Sequence, residues 1–271
     1  GAIARGKSLI VVGDSKQMPP TSFFQIKNTE DVSCDLEDQE SVLDDCDVIG
    51  LPSRFLAWHY RSKHESLIRF SNAKFYDNKL ITFPSPNDMV TKVSYINTHG
   101  VYGEKKATNV IEAKAIIKEV ERRLKTPELK DMSIGIVTFS SVQQEVVEDL
   151  LSDFFAKHKD LEEIAENMKE PIIVKNLENI QGDERDVILF SVCYGPDSKG
   201  VMHHRFGPIN NVGGEKRLNV AVSRARYEMV VFTSFEPEIL SNMNTESRGA
   251  IELYNFLKYA KDGARTLTLP N

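Results

Sequence analysis

Short apolar runs alternate with amphipathic stretches along most of this chain. Leu9–Val12, Ile134–Thr138, Ile172–Val174, Val187–Val192 and Met229–Phe232 are rich in valine and isoleucine and bounded by polar residues. Runs of that kind predict strands buried on both faces, as in a parallel sheet. Arg54–Trp58 and Lys92–Ile96 predict two more strands. Helical spacing takes over between them. Leu67, Ile68 and Phe70 share one side of a helix predicted over Ser62–Lys74, where Ser62 and Glu65 have the spacing of a capping box. Ile111, Ala115, Ile116 and Val120 mark a helix over Asn109–Leu124. Further helices are predicted over Ser141–Phe154, within the charged stretch His158–Glu170, and over Arg248–Ala260 with Leu253, Phe256 and Leu257 as a packing stripe. The repeated alternation predicts an α/β fold, a mainly parallel sheet with helices on both faces.

The length of 271 residues allows one large or two small domains, and Pro52 marks a boundary. Apolar residues make up 41% of the chain, enough for a buried core. No apolar run approaches the roughly 20 residues of a membrane span, so no membrane partner is expected. The opening residues carry no signal-peptide pattern and no initiating methionine, so a piece of a longer cytoplasmic protein is expected. Cys34, Cys46 and Cys193 make neither a metal knuckle nor an even disulfide framework, which points to reduced thiols. His203–His204 has no further ligand at metal-binding spacing, so no metal site is expected. The acidic run Glu30–Asp47 reads as a mobile loop to about Asp38, then a short helix from Gln39 or Glu40. With a net charge of −6 it argues against a bulk electrostatic nucleic-acid binder. It leaves room for a protein that grips a few phosphates in one groove.

Candidate chemistry concentrates in Lys216–Ser234, KRLNVAVSRARYEMVVFTS, where an Arg-Ala-Arg segment leads into an apolar strand. Ligands of open α/β sheets sit at strand ends, and Arg224 held there can meet charge developing on a transferring phosphoryl group. The bland reading is a basic helix end satisfied by water or a carboxylate. Gly13–Pro20 is a rigid polar loop, so Asp14 and Gln17 either address a ligand or close a capped turn. Arg61 is fixed at a strand-to-helix turn, or forms a surface ion pair. Thr138 ends a buried strand with a hydroxyl, and Gln181–Gly182 sits in a tight loop whose amides can approach a ligand. Gly1–Ser8 fits the letters of a phosphate-binding P-loop, but that motif needs a strand before it and a helix after it. A β-rich run follows Ser8, so a self-contained NTPase using Lys7 and Ser8 is not expected.

Taken in order, these segments resemble the motifs of superfamily 1 helicases, on the branch of the nonsense-mediated-decay helicase and its DNA-directed relatives. Gly13–Pro20 resembles motif III, GDxxQLPP, with Met18 for the usual Leu. His59–Ser62 resembles motif IV, and Thr138 with Gln143 the Thr…Gln motif that follows. Ile180–Asp186 resembles motif V, FQGxExD. Arg217–Arg226 resembles motif VI, RLNVAxTRAR, with Ser223 for Thr. The order and spacing match over almost the whole chain.

The resemblance implies a RecA-like P-loop NTPase fold in two lobes, with ATP and Mg²⁺ in the cleft between them. This chain would hold the end of the first lobe, residues 1–50, and the whole second lobe, 51–271. The P-loop lysine and the Mg²⁺-binding Asp-Glu pair would lie before residue 1, so the fragment alone is expected to be inactive. Leu9–Val12 would then lack its sheet and be poorly ordered or pair with a foreign edge. Arg224 would be the arginine finger, Arg61 a second γ-phosphate contact and Gln17 a γ-phosphate sensor. Asp14 would link the nucleotide and strand sites, and Gly182 and Glu184 would lie on the nucleotide side of motif V. Thr138 and Asn176, where the family usually has Ser or Thr, would face the nucleic acid. The implied partners are single-stranded nucleic acid, DNA over RNA, and the missing N-terminal lobe. The alternative is a non-catalytic nucleic-acid-binding or interaction module that kept the fold.

Overall fold

A computed structural model describes residues 5–19, 41–86, 90–103 and 106–267. Cys34, Pro20, Gln39, Glu40 and most of the acidic run lie outside the described residues, as do Gly1–Ala4. The chain divides into two compact units, Gly1–Leu56 and Ala57–Asn271. In the first, helix α1 (Val42–Val48) is capped by Ser41, whose Oγ accepts from the Asp44 N–H at 3.2 Å. The buried strand predicted for Leu9–Val12 does not form, and Ile10 is 88% exposed. An apolar run becomes a buried strand only when a sheet pairs with it, and this unit contains no strand among its described residues.

The second unit begins with strand β1 (Trp58–His59), paired in parallel with β2 (Ile81–Thr82) across helix α2 (Ser66–Phe75). Its main sheet runs β3 (Val93–Asn97), β7 (Ala225–Thr233), β6 (Arg185–Ser191), β4 (Ile134–Thr138), β5 (Ile173–Asn176), and every pairing is parallel. Helices α3 (Val110–Lys125), α4 (Ser141–Lys157), α5 (Lys159–Glu166), α6 (Gly214–Val222) and α7 (Arg248–Asp262) connect and follow the strands. This is the α/β, RecA-like architecture that the motifs implied. Asn109, Ser140 and Ser247 each accept from a backbone N–H three residues on, which starts α3, α4 and α7.

Alternation along the strands builds both faces of the sheet. Ile134, Ile136, Val187, Leu189, Val230 and Phe232 pack under α3, α4 and α5. Phe190 points the other way and meets Phe256 of α7, ring centroids 6.0 Å apart, and Phe256 meets Phe70 of α2 at 5.2 Å. The starts of α6 and α7 both pack on the Gly207–Asn210 turn so closely that a Cβ on Gly214 or Gly249 would lie 1.9 or 2.1 Å from the Ile209 carbonyl oxygen. Gly249→Ala is therefore expected to cost about 3 kcal/mol, because backbone rather than a side-chain end must move. Equilibrium urea unfolding would show it as a lower midpoint.

Some local expectations change. The strand predicted over Arg54–Trp58 shrinks to Trp58–His59. Ser62 does not cap α2, which starts at Ser66 with no side-chain cap bond. The Ser62 hydroxyl lies 2.9 Å from His59 Nε2 instead, and its backbone N–H donates to the same nitrogen at 3.2 Å. Burial and the nearby Arg61 lower the His59 pKa to about 4, so the ring stays neutral and can accept. In α3 the buried face is rotated. Ile111 is 48% exposed, while Glu112, Ala113, Ile116, Ile117 and Val120 are buried.

Candidate functional site

The Arg-Ala-Arg segment sits where α6 ends and β7 begins. Ser223 closes the helix and Ala225 already pairs with Arg185 of β6, so no loop intervenes. Arg224 is therefore placed at the amino ends of β6 and β7. This corrects the expectation drawn from the general rule, which places ligands at carboxyl ends. Arg224 is 3% exposed, and its Nε donates at 2.8 Å to the Val220 carbonyl at the helix end, which also accepts from Ser223 Oγ at 3.0 Å.

Arg61 reaches the same edge from a segment far away in sequence. The Lys63 N–H donates to the Arg226 carbonyl at 2.7 Å and Ser62 Oγ to the Ala225 carbonyl at 3.4 Å, which fastens the motif IV turn to the start of β7. Arg61 Nε then donates to Glu184 Oε2 at 2.6 Å and Nη1 to the Ser223 carbonyl at 3.4 Å. Burial first, and then the Arg61 charge, lower the Arg224 pKa to about 10 against the opposing pull of Glu184. The Arg61 hydrogen bond holds the Glu184 carboxyl below its usual range, with a smaller contribution from the Arg226 charge. Arg61, Arg224 and Glu184 thus share one edge, as the motif resemblance grouped them.

The other predicted residues lie elsewhere. Thr138 and Asn176 are paired neighbours at the carboxyl ends of β4 and β5, across the length of the sheet. Thr138 is buried and its hydroxyl donates to the Ser140 carbonyl at 2.9 Å, so it shapes the turn into α4. Asn176 donates from Nδ2 to Gln144 Oε1 at 2.8 Å, and its Oδ1 accepts from the Glu178 N–H at 2.9 Å. The motif V loop runs from Asn176 back to Glu184 and so joins the two edges. Gly182 sits in it with φ 94°, a conformation that favours glycine. In the first unit, Asp14 closes the capped turn weighed above. Its Oδ1 accepts from the Lys16 N–H and its Oδ2 from Gln17 Nε2, both at 2.9 Å. Among the described residues directly after Ser8, 9–19, no helix begins, as the P-loop reading would need.

The family model for the AAA domain (AAA_12) matches residues 39–236. The chain belongs to this family. Its motif resemblance to superfamily 1 helicases, on the branch of the nonsense-mediated-decay helicase, holds with that match, and the second-lobe motifs account for it. This helicase lobe is 31% identical over 278 residues to an uncharacterized ATP-dependent helicase of Mycoplasma genitalium, MG140, covering 96% of this chain and 24% of that protein. It is 27% identical to the DNA polymerase alpha-associated DNA helicase A of Saccharomyces cerevisiae, covering 84% of this chain and 34% of that one. It is 23% identical to the 5'-3' DNA helicase ZGRF1 of Mus musculus, covering 84% and 11%. The lobe thus spans about a third or less of these relatives' lengths.

Sequence reasoning missed two features of the helicase lobe. Arg226 gathers Glu170, Glu184 and Asp186 around one guanidinium. Glu112, on an apparently exposed helix turn, is fully buried against Ser191, Cys193 and Ser234. The Arg-Ala-Arg pattern and the acidic letters of motif V were the available signals for the first. The Asn-x-x-Glu start of α3 gave none for the second.

Proposed function

We propose that this helicase lobe is the second motor lobe of an ATP-dependent DNA helicase or translocase, and that its amino-edge arginines contact the nucleotide. The observation that carries the reading is the convergence of Arg61 and Arg224, whose mutual repulsion in a part-buried setting an anionic phosphate would relieve. The donor set fits a triphosphate, since guanidinium forks match phosphate geometry. Bound ATP with Mg²⁺ supplies the phosphoryl group. Arg224 meets the charge that develops during its transfer, and Arg61 orients it. Glu184 serves this edge by holding Arg61 between cycles.

The opposite edge, with Asn176 and the loop after it, is proposed to face the single strand. DNA is favoured over RNA by the names that the yeast and mouse relatives carry. β6, from Arg185 to Ser191, separates the two edges by about 20 Å at the usual rise per residue. The motif V loop is the segment that touches both. Arg61→Ala in the full-length protein is expected to lower DNA-stimulated ATP turnover about 10²-fold, as loss of one charge-stabilising donor does elsewhere. Unchanged turnover would remove Arg61 from the nucleotide edge.

A further inference from the structure

The Arg226 side chain is heavily engaged and has no part in the account above. Its Nε donates to Asp186 Oδ1 at 2.8 Å and its Nη2 to Ser133 Oγ at 3.0 Å. Nη1 and Nη2 reach both oxygens of Glu170. Ser133 adds a second layer, donating from Oγ to Glu170 Oε2 at 2.8 Å and from its N–H to Asp186 Oδ2 at 3.0 Å. Three chain segments, around Ser133, Glu170 and Glu184–Asp186, therefore hold this guanidinium in place. Its Nη1 also lies 3.5 Å from Glu184 Oε1, while Arg61 takes the other oxygen of that carboxylate at 2.6 Å.

Glu184 is thus shared between an anchored arginine and one tied by fewer bonds. Turning the whole Arg61 fork to a phosphate takes its Nε from Glu184. The Glu184 side chain is 38% exposed, so water offsets part of that loss, but beside an arriving polyanion its charge still gains from a cationic partner. We propose that Arg226 is a positioning residue that takes over the charge of Glu184 when Arg61 turns from that carboxylate to a nucleotide phosphate. The hand-off rests on the reading of Arg61 as a phosphate contact. It makes nucleotide affinity depend on a residue that never touches the nucleotide. Asp186 and Glu170 serve to keep Arg226 from following Arg61.

The test is steady-state ATP hydrolysis by the full-length protein with single-stranded DNA, comparing wild type, Arg226→Lys, Glu184→Gln and the double variant. Lysine keeps the charge but not the fork that spans three carboxylates. Arg226→Lys is expected to raise KM for ATP about tenfold with kcat changed less than threefold, as loss of one charge-pair partner would. In the Glu184→Gln background, where no charge remains to hand over, the same change is expected to alter KM less than twofold. An equal KM increase in both backgrounds would mean a merely structural role and overturn the proposal, as would an unchanged KM in Arg226→Lys alone. If Arg226→Lys does not fold, Arg226→Gln together with Glu184→Gln decides. A folded double variant with wild-type KM supports the hand-off, and one with KM raised tenfold overturns it. Arg61→Ala runs alongside. No effect of Arg61→Ala would sink the underlying phosphate reading, whereas a loss there with an unchanged Arg226→Lys sinks the hand-off alone.

Discussion

Replacing Arg224 by alanine in the full-length protein is expected to lower ATP turnover by about 10³-fold or more while leaving ATP affinity within a few-fold of wild type. The asymmetry follows from when the contact acts. An arginine finger meets charge that appears during phosphoryl transfer, so its loss falls on kcat rather than on ground-state binding. The geometry suits that task. Arg224 is held at the helix end by its Nε bond to the Val220 carbonyl, so its position is set before substrate arrives. Lysine is not expected to restore the rate, because a single ammonium cannot cap that carbonyl and reach outward together. The lost Nε bond is worth about 1 kcal/mol by itself, and a thermal melt of the variant checks that the fold survives the change. Turnover within threefold of wild type would exclude Arg224 from the chemistry.

Glu112→Gln is expected to abolish most of the pH dependence of stability in the neutral range. Burial is the main cause that raises the Glu112 pKa, to about 8, against the opposing hydrogen bonds from Ser191, Cys193 and Ser234. The unfolded chain ionises this group near 4.5, so between about 4.5 and 8 the folded state binds the extra proton. Stability from this group is therefore full below about pH 4.5 and is lost as pH rises towards 8, by a few kcal/mol in all. His59 runs the other way. Its pKa is lowered to about 4, so its contribution grows as pH rises from there towards 6.5. The difference between wild type and Glu112→Gln isolates the glutamate. Denaturant melts at pH 5 and pH 8.5 should show wild type losing stability relative to the variant as pH rises. A constant difference would mean that Glu112 is ionised in the fold.

Much of the fold was legible because its signals are local. Ile134–Thr138 forms the strand that its apolar run predicted, and Leu253, Phe256 and Leu257 are buried as the α7 stripe predicted. What failed depends on partners distant in sequence. Leu9–Val12 has the same composition as a buried strand but no sheet to join. Ser62 has the letters of a cap, yet His59 and the Ala225 carbonyl engage its hydroxyl first. The α3 stripe is displaced by a fraction of a turn, because a charged residue, Glu112, is buried beside Ala113 and Ile116 while Ile111 faces outward. The grouping of Arg61, Glu184 and Arg224 at one edge was legible through the motifs, which place them together by resemblance. Its location at the amino ends of the strands was not, because that depends on α6 running into β7 without a loop. The carboxylates around Arg226 come from segments joined only by folding, and no spacing rule gathers them.

The central claim is that this chain lends arginines to a nucleotide held by another lobe, rather than holding one on its own Gly6-Lys7-Ser8 stretch. The most direct measurement is steady-state ATP hydrolysis by the 271-residue chain alone, with Mg²⁺ and single-stranded DNA, beside its Lys7→Ala variant. The account predicts no turnover above background in either. Turnover that disappears with Lys7→Ala would contradict it and make this chain an NTPase in its own right.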